Sequence, residues 1–192
     1  MTHPEPGAPS WRCCLPTADE TTVSLSCPLE RGGPWLAGRA LDVLRAAGGV
    51  EPATDRQRYV TGTRRGAPLI LGEPLVWHGV AVVLEACQMD GQAAGEVTLR
   101  LPPWQELAPA LAEAVVWELT DRLAEELRAH CGVVSDGRAV GYPDLGRPQA
   151  SAAGLQRSHL GVIVPNQWLP YLRPGSNPYC SLSRSELVVV LE

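Results

Sequence analysis

The chain has 192 residues, with 21 acidic and 16 basic side chains and a formal charge of −5. Every basic residue is arginine, and phenylalanine is absent as well as lysine. A phosphate loop with its lysine, a lysine Schiff base and a lysine general base are therefore excluded. Net acidity argues against a nucleic-acid partner, whose backbone calls for clustered cations.

Hydrophobic residues at 45% and charged residues at 19% suit a chain with one sizeable core. The expected organisation is a flexible tail over residues 1–20 and a single α+β domain over 21–192. The tail carries Pro4, Pro6, Pro9 and Pro16 and no apolar run, so no signal peptide is expected. No segment reaches the roughly 18–20 apolar residues of a spanning helix. A cytoplasmic protein away from the membrane follows as the expectation, with its six cysteines as reduced thiols.

Val23, Leu25 and Cys27 alternate through 21–27, which predicts a first strand. Pro34 then opens a helix with Leu36, Ala40, Leu41 and Leu44 on one face, stopping at Gly48-Gly49. Segments 58–62 and 67–71 read as a hairpin around Arg64-Arg65, the only adjacent basic pair. Segments 78–87 and 95–101 form a second strand pair. In its first member Val80, Val82 and Leu84 interleave with Ala81 and Val83, predicting a central strand buried on most of both faces.

Over 107–131, Leu111, Val115, Leu119, Leu123 and Leu127 recur every fourth residue. Glu113, Glu118, Asp121, Arg122, Glu125 and Arg128 are assigned to the solvent side, with Glu118–Arg122 and Arg122–Glu126 as i,i+4 pairs. Pro109 suits the first turn, Gly132 the C-cap, and His130 and Cys131 the helix end. Beyond it come a loop over 136–148, a short helix over 150–157, a strand over 160–164, a helical turn over 166–172 and a closing strand over 187–191. That closing strand is so apolar that it must be central or covered. The order predicts an α+β fold: a mixed or mainly antiparallel sheet packed by one long and one shorter helix.

No zinc spacing, nucleophile elbow or dinucleotide glycine pattern is present, so neither a metal nor a cofactor is expected. Glu85, alone in an apolar strand, is the best acid/base candidate, and a solvent-facing strand position explains it as well. The C-terminal third concentrates Tyr142 and Asp144 in a loop, and Trp168, Tyr171 and Arg173 after a strand. Trp, Tyr and Arg dominate protein–protein hot spots, so these five residues are the candidate interface. The competing reading has Trp168 and Tyr171 closing the end of a core that lacks phenylalanine.

Three segments carry a resemblance. Residues 95–102 (GEVTLRLP) run from a strand into the long helix; 141–148 (GYPDLGRP) form a loop; and 159–165 (HLGVIVP) precede Trp168. This arrangement resembles the immunity-protein domains that accompany polymorphic toxins in bacterial competition, including those tied to type VI secretion. The resemblance spans residues 21–192 as a pattern and supplies no catalytic residue. It implies a non-enzymatic binder whose partner is a cognate protein toxin. Two alternatives stand beside it: a small enzyme assembled from His78, Glu85 and His159, and a self-assembling accessory subunit or homo-oligomer.

Overall fold

A computed structural model describes residues 20–29, 32–48, 50–52, 59–61, 69–88, 94–135, 142, 146, 161–172 and 179–191. Ten strands among them form one sheet: β1 (Thr21–Pro28), β2 (Val50–Pro52), β3 (Tyr59–Thr61), β4 (Leu69–Trp77), β5 (Val80–Gln88), β6 (Ala94–Leu101), β7 (Cys131–Ser135), β8 (Gly161–Pro165), β9 (Tyr179–Leu182) and β10 (Leu187–Leu191). Their order is β2-β4-β5-β6-β1-β7-β8-β10-β9, with β3 also on β4. Every described pairing is antiparallel. The α+β class read from the sequence is thus the fold, and the sheet is antiparallel throughout. β10 lies between β8 and β9, which covers its apolar backbone on both edges as its composition demands.

Helix α1 (Gly33–Ala47) lies across β4, β5 and β6, burying Leu36, Ala40 and Leu44. Side chains from the sheet hold both of its ends. Gln88 of β5 accepts a hydrogen bond from the Gly33 amide at 2.9 Å, satisfying a donor that the helix leaves open. At the other end the indole of Trp77, on β4, donates to the Gly48 carbonyl at 3.1 Å.

The long amphipathic segment is α2 (Pro109–Glu113), a π-helical stretch (Ala114–Leu119) and α3 (Thr120–Leu127). An α-helix turns about 100° per residue, so each step of four overshoots by about 40° and a leucine every fourth residue drifts around the cylinder. The wider π turn takes up part of that drift. It keeps Val115, Leu119, Leu123 and Leu127 together in the core. The Thr120 hydroxyl donates to the Val115 carbonyl at 2.9 Å, within the wide turn.

The helix ends four residues earlier than the spacing predicts. Arg128, not Gly132, is the C-cap, in the left-handed region at φ 52°. Cys131 and Gly132 belong to β7, and exposed His130 lies beyond the helix, its amide bonded to the Ser26 carbonyl. Gly132 is required there: a Cβ would stand 2.5 Å from the Ser24 carbonyl oxygen. Glu118 pairs with Arg122 as expected, at 2.8 Å, whereas Glu126 pairs with Arg39 of α1 and so ties the two helices together.

Strand β5 is central, flanked by β4 and β6. Only one of its faces is fully buried, through Val82, Leu84 and Ala86; Ala81 on the other is exposed. The β4–β5 hairpin turns on His78-Gly79, both at positive φ (48° and 79°), as in the primed two-residue turns. The expected loop over 136–148 and helix over 150–157 lie outside the described residues, apart from Tyr142 and Gly146. No described helix is long and apolar enough to cross a membrane.

Candidate functional site

The two faces of the sheet differ. On the helix side, Val23, Leu25, Val97, Leu99, Leu84, Val134, Ile163 and Val189 join the helices in the main core. On the opposite face the central strands carry hydroxyls. Thr22 bonds Ser135 at 2.6 Å across β1 and β7, and Ser24 meets Thr98 at 2.7 Å across β1 and β6. Thr98 donates to Glu96 at 2.8 Å, so its single proton is spent and Ser24 must donate to it. The result is a one-directional relay from Ser24 through Thr98 to Glu96.

Tyr142 sits over this row. Burial, then the neighbouring Glu96 charge, pushes its phenol far above the ordinary tyrosine range. Its hydroxyl is sealed from solvent, with the Glu96 carboxylate and the Ser24 hydroxyl as its polar neighbours. Beside the row, Arg100 bridges Glu20 at 2.8 Å and Glu85 at 3.7 Å. Glu85 is therefore a half-buried ion-pair partner on the face away from the helices. His78, the other described member of the proposed catalytic set, is exposed at the hairpin tip. Five residue steps along β5 lead from Val80, next to that tip, to Glu85, a run of about 17 Å at the usual rise. The structure does not bring the two together, and His159 lies outside the described residues.

Farther along the same face lies a second apolar cluster. The 3-10 segment Asn166–Tyr171 folds over β8 and β10, packing Trp168 and Leu172 on Val162, Val164, Val188 and Val190. Trp168 is 3% exposed and acts as the peg of this cluster, whereas Tyr171, three residues on, is 43% exposed. Tyr179 opposes Val190 in register, so it shares that face, and it is 50% exposed. Tyr179 thus lies on β9, the last strand in the order of the described strands, and Tyr171 on the 3-10 segment over the neighbouring β8 and β10. Of the five candidate interface residues, the structure buries Trp168, half-buries Tyr142 over the hydroxyl row and exposes Tyr171. Arg173 and Asp144 lie outside the described residues. Sequence reasoning missed Tyr179, whose only signal was an aromatic alternating with Cys180 in a short run after Pro178.

The turn joining β9 to β10 is fixed by a helix residue. Asp121 of α3, 6% exposed, accepts from the Ser185 amide at 3.0 Å, the Ser185 hydroxyl at 2.8 Å and the Arg184 amide at 3.2 Å. It belongs to the inner side of its helix, not to the solvent side predicted from its charge. Burial also raises the thiols of Cys27 to about 12 and Cys131 to about 11, which keeps them protonated in the folded chain. Among the described residues no cluster of His, Cys, Asp and Glu has the makings of a metal site.

No family model matches the chain, and no curated protein matches it in sequence. Among solved structures it is similar to a T6SS protein of Pseudomonas aeruginosa, at 10% identity and a TM-score of 0.45, over 89% of this chain and 64% of that one. The chain therefore spans less than two thirds of that neighbour's length.

Proposed function

We propose that the chain is a non-catalytic binding protein that neutralises a bacterial protein toxin by direct contact, and that the β9 end of the sheet makes the contact. The observation that carries this reading is two exposed tyrosines: Tyr179 on β9, which ends the order of the described strands, and Tyr171 at the end of the 3-10 segment packed over β8 and β10. Tyrosine supplies large contact area with only two side-chain torsions to immobilise. An edge strand offers unpaired backbone groups to an extended partner segment. The platform is stiff, because Trp168 and Leu172 pin the 3-10 segment to the sheet and Asp121 pins the β9–β10 turn. With a charge of −5, the chain suits a basic partner surface. Arg173 and Asp144 are the polar candidates for the rim, and Tyr142 for the adjoining face.

The test is co-expression with the product of the adjacent upstream gene, scoring host survival and co-purification. Rescue with a one-to-one complex supports the reading. A toxic neighbour with neither rescue nor complex refutes it. Within such a complex, Tyr171→Ala with Tyr179→Ala should weaken binding at least about tenfold, the cost of losing roughly 1.4 kcal/mol. Unchanged affinity would place the contact elsewhere.

A further inference from the structure

The turn between β9 and β10, residues 183–186, meets two other parts of the fold. Asp121 of α3 accepts from its Arg184 and Ser185 amides and from the Ser185 hydroxyl. Its last residue, Glu186, is held in the left-handed region at φ 57°, and the Glu186 carbonyl accepts from the Asn166 amide at 3.2 Å. Asn166 begins the 3-10 segment that ends at Tyr171. Tyr179 lies on β9, whose described pairing is with β10 alone. Both exposed tyrosines therefore belong to elements joined at this one turn. Asp121 stands on the other side of the sheet from them. Tyr179 opposes Val190 of the second cluster, whereas Cys180 opposes Val189 of the main core, since successive strand residues point to opposite faces. Burial, then the Asp121 charge, pushes the Cys180 thiol up to about 12, which sets that carboxylate beside β9 on the helix side.

We infer that Asp121 is a positioning residue for the tyrosine surface: through the β9–β10 turn it sets both the strand that carries Tyr179 and the segment that carries Tyr171. The consequence for affinity rests on the proposed toxin contact; the linkage itself rests on the turn. A hairpin takes its register from its turn, and a slip of one residue carries every side chain to the other face. With four residues, β9 has few ladder bonds of its own to resist slipping or fraying. A partner docked on the tyrosines lies across the sheet from Asp121 and does not touch it, so any influence of Asp121 on that partner passes through the turn. Coupling of this kind is reciprocal, so a partner that holds the two tyrosines also tightens the Asp121 cradle.

The first test needs no partner. Asp121→Asn in the full chain is compared with wild type by amide NMR and hydrogen exchange. Shifts and lost protection are expected at Arg184 and Ser185, and also at Asn166, Tyr171 and Tyr179. Ser185→Ala, which removes one donor and keeps the carboxylate, should move the same amides by less. Changes confined to Arg184 and Ser185 overturn the inference. The second test uses the complex with the product of the upstream gene. Asp121→Asn should weaken that complex about tenfold, within the usual span for coupled sites. The loss should vanish where Tyr171 and Tyr179 are already alanine, an outcome that a merely less stable fold does not produce. Unchanged affinity, or an equal loss in the alanine background, overturns the inference. Where the wild-type chain forms no complex, the toxin reading fails and the amide comparison alone decides the linkage.

Discussion

Replacing Asp121 with alanine would remove the acceptor for three donors at once: the Arg184 and Ser185 amides and the Ser185 hydroxyl. A hydrogen bond to a charged group contributes about 1.5–3 kcal/mol, but turn amides released at the surface regain water and recover part of it. The net cost is therefore about 3 kcal/mol, out of the roughly 5–15 kcal/mol that holds a typical domain folded. In a chain of this size that lowers the melting temperature by about 6–12 °C. Asp121→Asn keeps one acceptor but turns an amide donor toward the Arg184 N–H, and should fall between alanine and wild type. Urea unfolding is the assay, with the midpoint reporting stability and an unchanged slope confirming that the same surface is exposed. Hydrogen exchange should localise the loss to Arg184 and Ser185 and their neighbours in β9 and β10. An alanine variant within about 0.5 kcal/mol of wild type, the range of ordinary surface changes, would refute the view that this carboxylate fixes the turn.

Gly132→Ala should destabilise more than a usual surface change, because its Cβ would collide with the Ser24 carbonyl and with Leu25 and Ile163; far-ultraviolet circular dichroism melts would show it. Trp168→Ala should cost about 3–5 kcal/mol by emptying the small cluster, while Tyr171→Ala stays within about 0.5 kcal/mol, as chemical denaturation would record. The buried thiols carry a pH dependence. Cys27 and Cys131 have folded values near 12 and 11, above the unfolded thiol, so their contribution is complete below about pH 8.5. Stability should then fall as pH rises toward 11, and a urea series across that window should detect it. A thiol reagent at pH 8 should label these two cysteines slowly in the native chain and quickly in denaturant, as residue-resolved mass spectrometry would show.

Much of the fold was legible because it is written in spacing. The alternation of Val23, Leu25 and Cys27 marks β1, and Pro34 with Gly48 brackets α1. The four-residue leucine repeat marks the long helix and, less obviously, the π turn that such a repeat favours. Its end was not legible, since Cys131 continues the same repeat and nothing in Arg128 announces a left-handed residue. That hid β7. Asp121 was misjudged because charge suggests solvent, and its donors lie more than sixty residues away in sequence. β2 and β9, at three and four residues, are shorter than any periodic signal. The candidate interface was partly legible: an aromatic-rich C-terminal third is plain in the sequence. Which aromatic is peg and which is surface is decided by the valines of β8 and β10 that pack beneath Trp168.

The two ends of the sheet are not equivalent. At one end, β3 covers Ile70–Gly72 of β4 and β2 covers Leu75–Trp77, leaving Glu73 and Pro74 between two short strands. Proline has no N–H to offer, so β4 itself presents a broken row of donors between β2 and β3. The β9 end carries no such interruption among the described residues. Fibrous growth needs two compatible borders on every molecule, one to receive and one to extend. A sheet with one broken border favours pairing that stops at two copies over growth into a fibre.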